Sequence, residues 1–255
     1  MKRAIIILAI LLSYLPAAAE ERNAPFFSGF ETQTGWSDSW NSALRYNRIT
    51  QSVELRYRLW GFLDGYTYLV GQTGWMRLKA PAAEIRKINL YLYPNLLVGQ
   101  GFEVKKALRD FCELAAFAEI YSSLHTAVAE VRNVDLAMPK DSPGAMLAAY
   151  DTNIGEVGIR AGVSAYKNFA RWSARFGARY ELEDFDVFMN PKVLAFKDTP
   201  PKVSQINATW QFMRFAAGAS VNLPKRLKLS VDANLDVARY GVSGYGAAIG
   251  LGYSF

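Results

Sequence analysis

Apolar and polar residues alternate along most of the chain. From Leu227 to Ala238, apolar side chains occupy every second position, and mainly charged, amide or hydroxyl side chains lie between them. The same alternation recurs over 53–59, 157–165, 172–183 and 245–255. A period of two over about ten residues is typical of a β-strand with two chemically different faces. A helix of the same sequence would carry charge around its whole circumference. The pattern therefore predicts an all-β chain.

Short turns and long polar connections also alternate between the predicted strands. Tight turns are indicated at 63–65, 166–169 and 222–225. Longer connections are indicated at 37–48, 135–154 and 184–202. Transmembrane barrels have this arrangement, with an even number of antiparallel strands. We therefore expect a closed antiparallel up-and-down transmembrane β-barrel of about ten strands, with about 8–12 as the range. The predicted strands are 26–36, 49–60, 66–78, 86–98, 113–133, 155–166, 171–183, 203–222, 226–238 and 245–255.

Two stretches depart from the simple alternation. Residues 99–134 have apolar residues at roughly helical spacing and many Ala, Glu and Leu residues. One interpretation places a short periplasmic helix at 103–112, and the alternative is a hairpin at Ser122-Ser123, which would raise the strand count. Within 203–223 the apolar positions change parity, and a β-bulge near Met213-Arg214 would restore the register.

The N-terminal residues have the three-part layout of a secretory signal peptide. A basic segment at Met1–Arg3 is followed by an apolar run over 4–15, by Pro16, and by the small residues Ala17–Ala19. The apolar run is shorter than the roughly 20 residues of a membrane-spanning helix. We expect residues 1–19 to be removed and residues 20–255 to form one barrel domain.

Composition excludes several functional classes. The formal net charge is +6, but the basic residues are scattered, which argues against nucleic-acid binding. Cys112 is the single cysteine and His125 the single histidine, so neither a disulfide framework nor a zinc site of the usual kind is expected. No cofactor or metal is predicted.

The direction of the apolar face follows from two further features. The polar faces mix charged residues with Gly, Ala and Ser, as a narrow lumen requires. Aromatic residues recur near the strand ends, where a membrane barrel has girdles at its two interfaces. These residues are Trp36, Trp60, Tyr66, Trp75, Trp172, Tyr240, Tyr245, Tyr253 and Phe255. We expect the apolar face to point toward lipid.

The last strand resembles the C-terminal signature of bacterial outer-membrane β-barrel proteins. Phe255, Tyr253, Leu251 and Ile249 fill its alternating apolar places, and Gly250 fills its glycine place. The resemblance implies an integral location in the outer membrane, with lipid as the surroundings. It also implies that Gly250, Leu251, Tyr253 and Phe255 form an assembly signal that the barrel-assembly machinery reads.

His125 is the residue on which enzyme chemistry would depend. The Asp-Asp and Asp-His motifs of omptin-like proteases are missing, and so is the His-x-Ser arrangement of lipid A deacylases. Ser123 shares a strand face with His125, and a nucleophile must lie within hydrogen-bond reach of its base. We expect a structural histidine and no catalytic residue. A lipid-modifying hydrolase that uses His125 is the alternative.

Charged residues on the inner faces have two interpretations. They are Arg56, Arg58, Arg160, Arg175, Arg179, Glu181, Glu183, Lys228, Asp232 and Asp236. Because buried charges are costly unless they are paired, we favour structural pairing over a narrow, anion-preferring pore. The function that we expect is non-enzymatic: a small porin-like channel for a small solute, or a surface protein whose external loops contact a partner.

Overall fold

The computed structural model describes residues 27–42, 44–60, 63–82, 85–108, 112–132, 147–194 and 205–254. These residues form ten strands, and the strands close into one antiparallel barrel in which each pairs with its sequence neighbours and β1 pairs with β10. The strands are β1 (Phe27–Trp40), β2 (Leu44–Trp60), β3 (Leu63–Ala82), β4 (Ile85–Leu108), β5 (Cys112–Arg132), β6 (Leu147–Asn168), β7 (Trp172–Leu194), β8 (Gln205–Asn222), β9 (Leu227–Ala238) and β10 (Gly241–Ser254). The predicted fold and strand number are confirmed. Within the described ranges, no helix is long and apolar enough to cross a membrane.

The outer and inner faces follow the predicted alternation. On β9, Leu229 and Val231 are 40% and 54% exposed, whereas Ser230 between them is buried. Asp236 near the end of this strand is fully buried. The apolar face therefore points outward, as expected for a strand in contact with lipid.

Both alternatives for residues 99–134 are wrong. β4 continues to Leu108, so 103–108 are strand, and Ser122-Ser123 lie inside β5. Residues 109–111 lie outside the described ranges. β5 pairs with β4 near both of its ends and with β6 along its whole length. Pairing on both sides satisfies the backbone polar groups, which a barrel in lipid requires, and this outweighs a local helical spacing.

The predicted bulge at Met213-Arg214 is also wrong. β8 pairs with β7 and β9 through this point without a register shift. Trp210, Phe212 and Arg214 all lie on the same buried face. The same alternate positions of β8 point inward before and after this point. The inward residues change from aromatic to charged after Phe212, and in the sequence this change resembles a shift of register.

The strands are longer than predicted at one end of the barrel. Much of the expected connections at 37–48, 135–154 and 184–202 is strand. The connections at this end include the long segments 133–146 and 195–204, whose structure lies outside the described ranges. At the opposite end the strands are joined by short connections such as 169–171 and 223–226. Because barrels have short periplasmic turns and longer external loops, we call the first end external and the second periplasmic.

Aromatic residues line the outer face near both ends. Trp36 and Tyr245 are 5.4 Å apart between ring centroids near the external end, and Phe169 and Trp172 are 3.8 Å apart at a periplasmic turn. Among the predicted girdle residues that the structure describes, Tyr66 differs from this arrangement. It is buried in the interior, where its hydroxyl group donates to Glu119 Oε2 at 2.9 Å.

Three residues of the predicted assembly signal, Gly250, Leu251 and Tyr253, lie in β10. Leu251 is exposed on the outer face, and the Tyr253 ring stacks on Phe30 at 6.0 Å. A Cβ atom at Gly250 would lie 2.5 Å from Ser230 Oγ and 2.8 Å from Gln33 Cγ, so a larger residue there would require these side chains to shift. Phe255 and the predicted signal peptide, 1–19, lie outside the described residues.

Candidate functional site

The external half of the lumen is filled by apolar side chains. We call these residues the apolar plug. They come from β2 to β8 and are Leu44, Tyr46, Met76, Leu78, Ile88, Leu90, Leu92, Ala127, Ile154, Phe185, Val187, Trp210 and Phe212. None is more than 5% exposed. Tyr46 meets Phe185 edge to face at 5.8 Å, and Trp210 meets Phe212 at 5.2 Å. The contact between Tyr46 of β2 and Phe185 of β7 spans the lumen.

Directly beneath the plug, the side chains of His125 in β5 and Glu156 in β6 form a hydrogen bond. His125 Nε2 is 2.8 Å from Glu156 Oε2, and both side chains are almost fully buried. Ser123 Oγ contacts the same ring nitrogen, and Gln72 Nε2 donates to Glu156 Oε2 at 3.1 Å. Arg48 Nη1 donates to the other oxygen of Glu156 at 3.3 Å. Glu156 is therefore held from three sides.

The geometry around His125 differs from that of a catalytic relay. A relay of serine, histidine and acid uses both ring nitrogens, one for the nucleophile and the other for the acid. Here Ser123 and Glu156 both contact Nε2, and Nδ1 has no hydrogen-bond partner among the described residues. The arrangement can hold strands β3, β5 and β6 together, but it does not prepare Ser123 for attack.

A network of ion pairs continues from this point toward the periplasmic end. We call it the charged network. Arg48 Nη2 donates to Glu183 Oε1 at 3.4 Å, and Tyr121 donates to the same oxygen at 2.6 Å. Arg160 donates to Glu119 Oε1 at 2.9 Å through Nη1 and to Glu181 at 3.2 Å through Nε. Its guanidinium lies 4.1 Å from the centre of the Tyr121 ring.

Arg214 of β8 extends the charged network to the far wall. It approaches Glu181 Oε1 at 3.2 Å and donates to both oxygens of Asp236, with 2.8 Å for the Nη2 bond. Ser39 of β1 donates to Asp236 Oδ2 at 3.0 Å. Arg179 also pairs with Glu181. Carboxylates in the lumen thus share several arginines from different strands, as buried charges require.

The structure brings together most of the charged residues that the sequence analysis selected. Among the described residues, Lys228 lacks an ion-pair partner, and each of the others has one. Besides the pairs above, Arg175 pairs with Asp232 at 2.7 Å, Arg56 with Glu54 at 2.6 Å, and the half-exposed Arg58 with Asp64 at 3.7 Å.

Sequence reasoning missed several members of the site. Glu156 stood at an inward position of a predicted strand and was not selected. Arg48 was assigned to a connection, and Arg214 was placed at the expected bulge. Tracing the inward parity of β8 past Phe212 would have found Arg214.

Polar space remains beneath the plug. A cavity of about 290 Å³ is lined by Arg48, Arg160, Arg214 and Glu119 among others. A smaller space of about 120 Å³ lies beside Arg56 and Glu103. No cluster of His, Cys, Asp and Glu side chains suited to a metal ion occurs in the part of the chain that the structure describes.

Four phenol rings lie over glycines of a neighbouring strand, and one of them is Tyr57 of β2 over Gly65 of β3. Tyr66 and Tyr68 of β3 cover Gly101 and Gly99 of β4, and Tyr121 of β5 covers Gly158 of β6. A Cβ atom at any of these glycines would collide with the ring above it.

Two solved structures have a fold similar to that of this chain. The translocator domain of the autotransporter NalP from Neisseria meningitidis is 10% identical, with a TM-score of 0.52 over 100% of this chain and 98% of that one. The outer membrane protease OmpT from Escherichia coli is 9% identical, with a TM-score of 0.50 over 90% of this chain and 95% of that one. No family model and no curated protein matches the sequence.

These likenesses concern the fold. The chain has the fold of the bacterial outer-membrane β-barrel proteins. Its outward apolar residues and its aromatic residues near both ends agree with an integral location in the outer membrane. Because one of these similar structures is a translocator and the other a protease, the fold alone does not define the activity.

Proposed function

We propose that the protein is a non-enzymatic outer-membrane barrel with a sealed lumen, which acts through its external rim rather than as a channel. The apolar plug carries this proposal. Barrels of about eight strands have interiors that side chains just fill, whereas about 16–18 strands leave an aqueous channel. In this ten-stranded barrel the external half is filled by large apolar side chains.

Opening the lumen would be costly for two reasons. Each large plug side chain contributes about 1.5–3 kcal/mol by its burial. Separating a buried ion pair such as Arg48 and Glu156 leaves an uncompensated charge, which costs about 3–5 kcal/mol. Passage of a hydrated solute would require both changes together. The closed state is therefore the stable state.

The external rim is the part of the barrel that is available to a partner. The strands extend beyond the apolar belt, and their outward faces there carry polar residues such as Asp184, Asp186 and Asn207. The connections 133–146 and 195–204 join strands at the same end. We infer a role in surface contacts, with the barrel as their support.

Conductance tests the seal. Protein extracted from outer membranes and inserted in planar bilayers should show no steady current. The variant Tyr46→Ala/Trp210→Ala/Phe212→Ala removes the aromatic centre of the plug and should conduct. The matched control Leu229→Ala/Val231→Ala/Leu235→Ala removes side chains from the lipid face and should stay closed. A steady current through the unaltered protein would overturn the seal and favour a porin-like channel.

Serine labelling tests the absence of enzyme activity. A fluorophosphonate should leave Ser123 unlabelled, because its hydroxyl is held by His125 and Glu156 beneath the plug. Ser123→Ala is the matched control. Labelling that this substitution abolishes would favour the hydrolase alternative.

A further inference from the structure

The outer surface of β2, β3 and β4 carries a group of cations near the external end. Arg45 of β2 lies directly opposite Arg77 of β3, and two residues further along, Lys79 lies opposite Lys87 of β4. We call Arg45, Arg77 and Lys79 the basic patch. Lys79 is exposed, and the Arg45 side chain is 41% exposed.

The register of the basic patch is unfavourable without an anion. Like charges directly opposite each other on paired strands repel and destabilise the sheet. Here Arg77, at an outward position of β3, faces Arg45 of β2, and Lys79 adds a further cation two residues along the same strand. Asp38 compensates Arg45, with Nη2 and Oδ2 2.6 Å apart. Within the described residues, neither Arg77 nor Lys79 has a carboxylate partner.

The two arginines are held in place by an aromatic ring. The guanidiniums of Arg45 and Arg77 lie 5.3 and 5.5 Å from the centre of the Trp75 ring. Arg77 Nε also donates to Asn89 Oδ1 at 2.9 Å. This bond leaves the other nitrogens of Arg77 available. A guanidinium presents a planar fork of donors that matches the oxygens of a phosphate.

The basic patch lies at the level of lipid headgroups. Trp75 belongs to the outward row immediately below it, and the partners of Trp75 in neighbouring strands include Asn47 and the exposed Tyr91. Tryptophan and tyrosine side chains mark the membrane–water interface. One outward position further along a strand is a step of about 7 Å. The cations therefore lie just outside the hydrocarbon, where the phosphates of the external leaflet are found.

Among the side chains that the structure describes, the basic patch has no counterpart on the outward faces of β7 and β8. Toward the external end, the outward positions of β7 and β8 carry Asp184, Asp186 and Asn207 instead. Cations that served only to orient the barrel in the membrane would be expected on the strands of both sides.

We propose that the basic patch binds the phosphate groups of a phosphorylated glycolipid in the external leaflet. One phosphate fits between Arg45 and Arg77, with Lys79 one step further out for a second. The acyl chains of the lipid then lie along the apolar surface below Trp75. This proposal requires that the end with the long connections is the external end. It does not depend on whether the lumen is sealed.

Lipid retention tests the proposal. Barrels extracted from outer membranes in mild detergent are titrated with lipid A, which has two phosphates, and bound lipid is measured by native mass spectrometry. The variant Arg45→Gln/Arg77→Gln/Lys79→Gln should bind lipid A at least tenfold more weakly. The control Arg171→Gln/Lys225→Gln/Arg226→Gln makes the same charge change at the periplasmic turns and should bind like the parent.

Two further experiments identify the ligand and test whether the variants are correctly folded. Dephosphorylated lipid A should bind the parent as weakly as lipid A binds the patch variant, and millimolar inorganic phosphate should not displace lipid A. In lipid-free detergent, Arg77→Gln should unfold at the same temperature as the parent or higher, because it removes a like-charge contact. Lipid A should raise that temperature less for Arg77→Gln than for the parent. Equal binding of lipid A by the parent and the patch variant, or equal binding of dephosphorylated lipid, would overturn the proposal.

Discussion

The two halves of the lumen are filled in different ways. The external half is packed with mainly apolar side chains that depend on shape complementarity, whereas the lower half depends on arginines and carboxylates that must each find a partner. Loss of one apolar side chain costs contacts and leaves a cavity. Loss of one charge in the network leaves another charge buried and unpaired. Single substitutions in the plug should therefore lower the free energy of unfolding in small steps, whereas a single substitution in the charged network should lower it sharply.

The largest effect is expected for Glu156→Leu. This change leaves Arg48 with Glu183 as its remaining buried carboxylate and leaves His125 without an acid. We expect the free energy of unfolding to fall by about 3–5 kcal/mol. Urea unfolding of the refolded barrel measures it. The double variant Glu156→Leu/Arg48→Leu should lose less than the two single variants together, and strict additivity would contradict the coupling.

A smaller effect is expected for Ile154→Ala in the plug. The side chain is fully buried, so the loss should be about 2–4 kcal/mol, depending on how far the plug collapses. The matched change Leu235→Ala on the lipid face should cost less, because detergent or lipid fills the vacated space. The same urea experiment compares them. Equal losses at the two positions would mean that the plug is loosely packed.

The smallest effect is expected for Arg58→Ala near the periplasmic end of β2. Arg58 pairs with Asp64 at 3.7 Å, and its side chain is half exposed. Ion pairs in contact with water contribute about 0–1 kcal/mol. The unfolding midpoint in urea should hardly move, and a loss as large as that of Glu156→Leu would extend the tightly coupled network to the mouth of the barrel.

The lipid-facing pattern was the part of the fold that the sequence predicted best. Alternation identified the strands and their outer faces, because lipid imposes one chemistry on one side of each strand. The plug was missed because apolar residues were assumed to face lipid. Trp210 and Phe212 are apolar but point inward, so their positions were interpreted as a change of register. Arg48 was assigned to a connection because polar residues continue along a strand that extends beyond the apolar belt. Partners such as Glu156 and Arg48 are far apart in sequence, and only barrel closure brings them together.

The phenol rings that cover Gly99, Gly101 and Gly158 have a consequence for how this sequence can vary. The tyrosine ring on one strand occupies the space that a side chain would take at the glycine of the next strand. Neither member of such a pair can be exchanged by itself: a methyl group at Gly158 requires a smaller residue than Tyr121, and a smaller residue at 121 would also remove the hydroxyl that donates to Glu183. Substitutions at these positions should therefore occur in pairs across neighbouring strands. In a library randomised at 121 and 158, the folded clones should show inversely correlated side-chain volumes.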